Sequence, residues 1–598
     1  MGMDSFWLQN ARELVDCAMG RLPAHLIIKN GQWVCVQTGE IIPKTDVAMR
    51  AKRIAYVGED ASHTIGPKTV VIDADGQYLV PGLLDGHVHI ESGMVTVTEF
   101  VRAVLPHGTT GLFIDPHEIA NVFGLRGVRL MVDDAALQPV HVFVQMPSCV
   151  PSAPGFETPG AVLGPKDVTE AMTWPGIIGL GEMMDFPGVY EGDDKVHAEM
   201  SATRAAGKVI GGHYASPDLG RRFHGYVAGG PQDDHEGTRL EDAVARARQG
   251  MKVMMRYGSA WHDVAAQVKA VTELGLSSRQ FLLCADDILS ETLVNEGHMD
   301  RIIRHAIAEG LDPMTAIQMA TINTAEHFGV SREIGLIAPG RFGDVVLVKD
   351  LRDFQVETVV ARGKLAYQKK TILVALPARE YPEWAVRSVH FPRPLSAASF
   401  RLGAGGSQEV LANVIGIIEN QAPTRHLLFK MTVKDGEIYP DLARDIAKLA
   451  LVERHRPTGQ VRVGLVHGFG FKIPCAVATT VAHDSHQMLV AGTDETQMAI
   501  AANHLESIGG GQVIVTNNTV IGEIRLPIAG LMSTGSAQQV ADETASLLEG
   551  FKQCGCTLNN PNMQLSLLGL PVIPELRLTD LGLVDVNRFD FIPVLQHE

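Results

Sequence analysis

The chain has 598 residues, which is too long for one domain, and its hydrophobic content of 45% is sufficient for several cores. The formal charge of −17 argues against a nucleic-acid polymer or an anionic membrane surface as a partner. Seven scattered cysteines indicate reduced thiols, and hence a cytoplasmic location, rather than a disulfide framework. No apolar run reaches the length of a membrane span, so no membrane partner is expected.

The first segment is predicted to contain a helix followed by short strands. Residues 1–24 have the pattern of a helical extension and lack the basic start and apolar core of a secretory signal. Strand patterns fill residues 25–80, and a similar block returns at residues 335–385. One small β-sandwich domain built from both segments would explain this split.

Residues 81–334 alternate apolar runs with helical patterns. Successive runs are spaced by about one strand–loop–helix–loop unit, which predicts a (β/α)8 TIM-like barrel in an α/β fold. The reactive groups of such a barrel lie at the carboxyl ends of its strands. The eight runs centre near Leu84, Leu112, Val142, Ile178, Ile210, Asp234, Met254 and Leu283.

The last third, residues 390–598, is predicted to be an additional α+β domain. Helical patterns cover residues 440–454, 494–508 and 538–554. Strand patterns cover residues 460–466, 512–516 and 521–524.

Metal-ligating side chains follow five of the eight predicted strands. His87 and His89 stand two apart at the end of the first run, so they share one face of a strand. Nitrogen and oxygen ligands of this kind suit divalent manganese, iron or zinc. At the end of the eighth run, Asp286 is the predicted metal ligand and its neighbour Asp287 is the alternative. The candidate ligands are His87, His89, Glu182, His213, His235 and Asp286.

Several long strings carry a family resemblance. The run PGLLDGHVHIES at 81–92 resembles the first-strand signature of the amidohydrolase superfamily, which are metal-dependent hydrolases on a TIM-like barrel. Further strings narrow the resemblance to the adenine deaminase family and extend it over nearly the whole chain. The family usually has SDHE before the sixth-strand histidine, whereas this chain has Asp233 in place of the serine and keeps the ligand and the following acid. The further strings are DPHEIANV at 115–122, GLGEMMDFPGV at 179–189, DHE at 234–236, AHDSH at 482–486, LPIAGLMS at 526–533 and LPVIPELRLTDLGLVDV at 570–586.

The resemblance implies a metal centre with a particular bridge. Many two-metal amidohydrolases bridge their ions with a modified lysine at the end of the fourth strand, where this chain has Glu182. A carboxylate can bridge two cations directly, so two divalent ions are expected, manganese first, with iron or zinc as alternatives. The rival interpretation is a single ion held by four of the candidates, with Glu182 structural; those four are His87, His89, His213 and Asp286.

The implied reaction is hydrolytic deamination of adenine to hypoxanthine and ammonia, in purine salvage or catabolism. A bound divalent ion lowers the pKa of water, and the resulting metal-bound hydroxide attacks C6. Asp286 is expected to take a proton and pass it to the leaving amine, while Glu236 protonates N1. The alternative for Glu236 is an outward-facing acid paired with Arg239.

Other residues are candidates for substrate binding. His117 and Glu118 follow the second run; the alternative is that they cap a helix beginning near Ile119. Arg256 and Ser259 follow the seventh run. In the AHDSH string, His483 and His486 are candidates for a pocket edge, a second metal site or a hydrogen-bonded turn.

Three competing functions are weighed against adenine deamination. Zinc nucleobase deaminases of another fold need a P-C-x-x-C string, which this chain lacks. A different amidohydrolase reaction, such as hydrolysis of a hydantoin, dihydropyrimidine or imidazolone, is the main alternative. A non-catalytic barrel is disfavoured because the ligands are kept. The expected partners are a small purine base and further copies of the chain, in a homodimer or larger homo-oligomer.

Overall fold

The first part of the chain forms one helix and five strands. The computed structural model describes residues 3–406 and 408–596. Strands β1, β2 and β3 pair antiparallel in succession, whereas β4 and β5 lie parallel to β1. The elements are α1 (Met3–Ala18), β1 (Leu26–Cys35), β2 (Glu40–Arg50), β3 (Arg53–Gly58), β4 (Val70–Asp73) and β5 (Tyr78–Pro81).

The next strands form the barrel. One sheet has the order β10-β9-β8-β7-β6-β14 and the other has the order β11-β12-β13, with all neighbours parallel. The strands are β6 (Leu83–His89), β7 (Thr109–Ile114), β8 (His141–Met146), β9 (Ile177–Met183), β10 (Val209–Gly212), β11 (Asp233–Asp234), β12 (Lys252–Arg256), β13 (Phe281–Cys284) and β14 (Asp286–Asp287).

Two junctions join these sheets into a ring. Strand β14 follows β13 directly, and its Asp286 pairs with Val88 of β6. On the other side, the amide of Gln232 donates to the carbonyl oxygen of Ile210 at 2.9 Å, next to the short strand β11. The predicted α/β TIM-like barrel is therefore confirmed, and the two residues of β11 form its sixth strand.

Burial on both faces explains the apolar runs of this segment. Every residue of β6, β7, β8 and β13 is buried. Side chains on one face of five strands meet in a common apolar cluster; they are Leu84, Phe113, Phe143, Met254 and Leu282. A strand covered on both faces has no polar side to present to water, so its sequence does not alternate.

Helices cover the outside of the barrel strands. In α2, Thr96 accepts a hydrogen bond from the amide of Glu99 and so caps the first turn. The helices are α2 (Val97–Val104), α3 (His117–Phe123), α4 (Leu125–Leu137), α5 (Pro165–Ala171), α6 (Phe186–Glu191), α7 (Asp194–Ala205), α8 (Arg221–Gly229), α9 (Leu240–Arg248), α10 (Val264–Gln267), α11 (Lys269–Thr272), α12 (Ser290–Asn295), α13 (Met299–Ala308), α14 (Pro313–Met319) and α15 (Ile322–His327).

The strands after the barrel return to the first sheet. Strand β15 pairs antiparallel with β5, which gives a sheet of the order β18-β17-β16-β15-β5-β1-β2-β3, with β4 on β1. Because β5 leads into β6, this sheet adjoins the amino end of the first barrel strand. The added strands are β15 (Val345–Val348), β16 (Val356–Ala361), β17 (Lys364–Gln368) and β18 (Thr371–Ile372).

The C-terminal segment is built on a second nine-stranded sheet. Its order is β21-β20-β24-β23-β26-β25-β27-β28, with β32 on β20. The elements are α16 (Glu383–Val386), β19 (Leu402–Gly403), β20 (Glu409–Ile417), β21 (Thr424–Thr432), β22 (Glu437–Ile438), β23 (Ile446–Val452), β24 (Val461–His467), β25 (Cys475–Thr479), β26 (Met488–Gly492), α17 (Glu495–Ile508), β27 (Gly511–Thr516), β28 (Thr519–Arg525), α18 (Ala537–Gln553), α19 (Pro561–Ser566), β29 (Leu576–Leu578), β30 (Leu583–Asp585), β31 (Asp590–Ile592) and β32 (Leu595–Gln596).

One helix predicted in this segment is wrong. Residues 446–452 of the predicted helix 440–454 form β23, which lies between β24 and β26 and is buried along its whole length. Leu449 packs on one side of the sheet and Ala450 on the other. A short apolar run with both faces buried has no period that separates strand from helix. The helices predicted at 494–508 and 538–554 are confirmed within one residue at each end.

The C-terminal segment packs against loops at the carboxyl ends of the barrel strands. The amide of Ser533 donates to the carbonyl of Met94 at 2.8 Å, and the amide of Thr158 donates to Asp580 at 2.9 Å. Helix α18 contacts α12 of the barrel. In the described part of the chain, no helix has the length and apolar character needed to cross a bilayer.

Candidate metal centre and catalytic cavity

The end of the first barrel strand presents two buried imidazoles. The Nε2 atoms of His87 and His89 lie 3.0 Å apart, and each side chain is 3–4% exposed. Nδ1 of His89 lies 2.8 Å from the carbonyl oxygen of Asp115. Because a carbonyl only accepts, Nδ1 carries the proton and Nε2 keeps a free lone pair, which is the tautomer that binds a metal.

Glu182, at the end of β9, lies at the centre of a ring of histidines. Its Oε1 atom faces Nε2 of His89 at 3.4 Å and Nδ1 of His117 at 3.1 Å. Its Oε2 atom faces Nδ1 of His213 at 2.5 Å and Nε2 of His235 at 3.1 Å. Each carboxylate oxygen thus faces a different pair of histidines.

Asp115 fixes the position of the Glu182 backbone, a role that was not predicted from the sequence. It is fully buried at the end of β7, and its Oδ2 accepts a hydrogen bond from the amide of Glu182 at 2.8 Å. Gly181 makes room for it, since a Cβ there would lie 2.2 Å from Oδ2 of Asp115. Asp115 belongs to the DPHEIANV string, but only the fold brings it to the amide of Glu182 at the end of the fourth barrel strand.

Asp286, rather than Asp287, turns toward the histidines. Its Oδ1 atom lies 3.3 Å from Nε2 of His89 and 3.6 Å from Nε2 of His87. Asp287 instead accepts a hydrogen bond from the hydroxyl of Ser92 at 2.5 Å. The φ of Asp286 is 59°, in the left-handed region that residues other than glycine rarely adopt. Backbone strain of this kind concentrates at functional sites.

The predicted ligands converge in sets suited to divalent ions. Imidazole nitrogens and carboxylate oxygens are the donors that zinc, iron and manganese accept. Each of the six predicted ligands belongs to at least one set of three whose donor atoms lie within 4.8 Å of one another. The sets around Glu182 are His87–His89–Asp286, His89–His117–Glu182, His87–Glu182–His235 and His213–His235–Glu236.

The charges of this cluster favour a cation at its centre. Burial would raise the pKa of Glu182, but the charge on His213 and the hydrogen bond from His117 hold that pKa well below its ordinary value. Burial disfavours the imidazolium form of His235, yet its hydrogen bond to Glu182 raises its pKa to about 9. The carboxylates therefore stabilise positive charge here, whether it is carried by protons or by metal ions.

Arg256 lies behind the two carboxylates predicted to move protons. Its Nη1 donates to Oδ2 of Asp286 at 3.1 Å and contacts Oε1 of Glu236, while its Nε donates to Asp263 at 2.8 Å. Burial opposes ionisation of Glu236, but Arg256 lowers the pKa of that carboxyl below its ordinary value. The alternative pairing with Arg239 is wrong, because the Arg239 guanidinium bonds Asp242 at 2.6 Å.

A cavity of about 320 Å³ opens above the cluster. Its floor contains five of the six predicted ligands, all except His87, and its walls are largely apolar. Barrel loops supply three of the wall residues, Met184, Phe186 and Trp261. The C-terminal segment supplies six more apolar residues, which are Ala422, Met563, Leu567, Leu570, Val572 and Ile573. An apolar cavity with a few convergent polar groups is typical of a small-molecule site.

The predicted substrate-binding residues are only partly brought together. His117, Glu118 and Arg256 line the cavity. Helix α3 begins at His117 with Pro116 as its N-cap, so the alternative that His117 and Glu118 serve as caps is wrong. The hydroxyl of Ser259 is turned away from the lining, since it donates to Thr292 at 2.8 Å and accepts from the amide of Leu289 at 2.8 Å.

The AHDSH string forms both a turn and a pocket edge. His483 lines the cavity. The amide of His486 donates to the carbonyl of Ala482 at 2.8 Å, and Nδ1 of His486 accepts from the amide of Ala482 at 3.2 Å. Nε2 of His486 faces Oε2 of Glu118 at 3.8 Å, which is too far for a hydrogen bond. Glu118, His483 and His486 form a further set of three whose donor atoms lie within 4.8 Å of one another, so the second metal site stays a prediction.

Comparison with known families agrees with both halves of the chain. Residues 78–366 match the model of the amidohydrolase family, which is metal-dependent. Residues 421–590 match the model of the adenine deaminase C-terminal domain.

Full-length relatives narrow the assignment. Adenine deaminase 3 of Rhizobium meliloti is 56% identical over 98% of this chain and 99% of its own length. Adenine deaminase of Ruegeria pomeroyi is 56% identical over 99% of this chain and 98% of its own length. Adenine deaminase of Moorella thermoacetica is 51% identical, with 98% of each chain covered. The chain belongs to the adenine deaminase family of the metal-dependent amidohydrolases.

Proposed function

We propose that this protein catalyses the hydrolytic deamination of adenine to hypoxanthine and ammonia, in purine salvage or catabolism. The observation that carries the proposal is Glu182, each of whose oxygens faces a pair of histidines at the floor of an apolar cavity. Full-length relatives named adenine deaminase support the same reaction over hydrolysis of a cyclic amide.

Two divalent ions would occupy the cluster, with manganese as the first expectation and iron or zinc as alternatives. His87, His89 and Asp286 would hold one ion, and His213 and His235 the other, with Glu182 between them. When bound, such ions supply the lowering of water's pKa that hydrolysis at neutral pH requires. The proton on Nδ1 of His89 supports this assignment, because it leaves Nε2 free to coordinate.

Two carboxylates would move the protons of the attacking water. Hydrolysis adds the water oxygen to C6, while one proton goes to N1 and the other to the departing amine. Burial opposes ionisation of Asp286, but the positive charge of Arg256 helps to hold the pKa of that carboxyl well below its ordinary value, so Asp286 is ionised and can accept a proton for the amine. Glu236 would protonate N1. Because Arg256 keeps Glu236 ionised, Glu236 must first receive a proton before it can protonate N1.

The cavity walls would bind the purine by shape and by its polar edge. Trp261, Phe186 and Ile573 offer apolar surface to a flat ring. Glu118 and Arg256 offer hydrogen-bonding groups beside the metal cluster. His117 lies against Glu182, so its contribution would be to the metal side of the site rather than to the purine.

The organisation of the chain follows the same proposal. Residues 1–24 would form a helical extension, residues 25–80 and 335–385 a split β-sandwich, residues 81–334 the barrel, and residues 390–598 the C-terminal α+β domain. The cytoplasmic location and the homodimeric or larger assembly remain predictions; light scattering of the purified protein tests the latter.

The reaction is tested with manganese-loaded protein and a substrate panel. Adenine, other 6-aminopurines, a hydantoin and a dihydropyrimidine are incubated separately, and ammonia release is measured. We expect ammonia from adenine in stoichiometric yield with hypoxanthine. Turnover of a cyclic amide without turnover of adenine would favour the alternative reaction.

A further inference from the structure

A second, smaller cavity lies directly beside the catalytic one. Its volume is about 40 Å³, which is room for one or two groups the size of water but not for a purine. Four residues line both cavities, so the two spaces are separated only by side chains. They are Glu118, Asp287, His483 and Met563. We call this space the side chamber.

The wall of the side chamber is unusually rich in carboxylates. Glu91, Glu118 and Asp287 all line it, and Glu91 and Glu118 are each 1% exposed. The hydroxyl of Ser92 donates to Asp287 at 2.5 Å and lies 3.4 Å from Oε1 of Glu118. A single hydroxyl proton cannot satisfy both carboxylates. Burial of this much acceptor surface needs a compensating donor or positive charge.

Two acceptor atoms of the chamber wall are left without a hydrogen-bond donor. Among the described residues, the buried atoms that have no partner include Oε2 of Glu91 and Oδ1 of Asn562. Both residues line the chamber, one from the barrel and one from helix α19. Oδ1 of Asn562 only accepts, and Oε2 of Glu91 accepts when that carboxyl is ionised, so a group that satisfies both atoms is a donor.

The unpartnered oxygens of Glu91 and Asn562 suit ammonium, which is a donor at every hydrogen. Within the described part of the chain, Glu91 and Asp287 belong to none of the sets of three donor atoms that converge within 4.8 Å, whereas Glu118 and His483 form one with His486. Divalent ions need oxygens at about 2.0–2.6 Å, which draws the ligands close together. Ammonium reaches each carboxylate through an N–H bond at about 2.7–2.9 Å and so spans a wider ring of acceptors.

We propose that the side chamber binds ammonium, the nitrogen product of the reaction. The inference rests on the proposed function, in which the bond from C6 to the amine breaks and ammonia leaves with a proton from water. Ammonia takes up one further proton from solvent to become ammonium, the form that the carboxylates of the chamber attract. Since the chamber adjoins the catalytic cavity at Glu118, the nitrogen product can leave sideways while hypoxanthine still fills the larger cavity.

Rubidium, which resembles ammonium in charge and size, locates the site without turnover. Crystals of the manganese-loaded protein are soaked in rubidium chloride and examined by anomalous scattering. We expect rubidium density between Glu91 and Asn562. Absence of rubidium from the chamber would overturn the proposal. Anomalous density of manganese there would also overturn it, because the chamber would then be a metal site.

Product inhibition tests whether the side chamber binds ammonium during turnover. Ammonium chloride should inhibit adenine turnover beyond sodium chloride of equal ionic strength. Glu91→Gln and Asn562→Leu should each weaken that inhibition, by about tenfold for the loss of a charge-assisted contact. Glu170→Gln, a change at an exposed residue of α5, should leave it unaltered.

The remaining outcomes are equally decisive. Rubidium density together with unchanged ammonium inhibition in both chamber variants would mean an adventitious ion only, and would overturn the proposal. A failure of the proposed function is distinguishable, because it appears as absence of adenine turnover by the unmodified protein without added ammonium.

Discussion

Oε2 of Glu182 lies 2.5 Å from Nδ1 of His213, so the ends of the neighbouring strands β9 and β10 meet at one carboxylate. The other oxygen of Glu182 faces His89 and His117. Glu182 thereby connects the two halves of the candidate metal centre. Its replacement should change metal binding and leave the fold unchanged.

Glu182→Gln should lose metal as well as activity. An amide has one acceptor oxygen and bridges two cations poorly, so metal content after dialysis should fall and turnover should drop by at least about 10²-fold, comparable with the loss of a principal catalytic group. Metal analysis and ammonia release are measured on the same sample. Glu170→Gln is the control. Retention of two ions by Glu182→Gln at normal turnover would speak against the bridge.

His87→Ala and His89→Ala should abolish deamination and leave the fold intact. The residues stand at the carboxyl end of β6, whereas barrel stability comes mainly from the apolar layers below. Thermal unfolding should remain a single transition near that of the metal-free parent. Near-normal turnover in either variant would mean that the pair is structural.

Glu236→Gln should separate proton transfer from metal binding. The metals should remain, while turnover falls by about 10²–10⁴-fold, the usual range for a general acid or base. Asp286→Asn should do the same or worse, and should also weaken one ion, because Asp286 lies beside His87 and His89. Unchanged turnover in Glu236→Gln would leave N1 protonation to another group.

The apolar wall from the C-terminal segment should set the affinity for the purine. Ile573→Ala removes three carbons from a half-buried side chain that lines the cavity, so the KM for adenine should rise by about 3- to 50-fold with a much smaller change in kcat. Leu428→Ala, at an exposed position of β21, is the matched control. An unchanged KM in Ile573→Ala would place the purine away from this wall.

Strand-end residues were predictable because their chemistry is local in sequence. His87, His89, Glu182, His213 and Asp286 each follow an apolar run, and parallel strands bring such ends to one edge. Asp115 was not assigned, because its contact with the amide of Glu182 joins residues 67 positions apart. The cavity-wall residues of the C-terminal segment could not be predicted from the sequence pattern either, because Met563 and Ile573 reach the cavity only through the packing of one segment on another.

The error at residues 440–454 has a different cause. Its apolar residues are buried on both sides of the sheet, and buried Lys448, which bonds Glu495 at 2.6 Å, gave the run a helix-like polar interruption. Ser259 was placed in the pocket from its position after β12 alone. Its hydroxyl is instead used by Thr292 and Leu289, a pairing that depends on the loop path.

Metal titration of the chelated protein tests the central claim most directly. Manganese is added in fractions of an equivalent per chain, and ammonia release from adenine is measured at each step. A centre bridged by Glu182 predicts activity that rises up to two equivalents and then stays constant. Full activity at one equivalent, with no further increase at two, would contradict it.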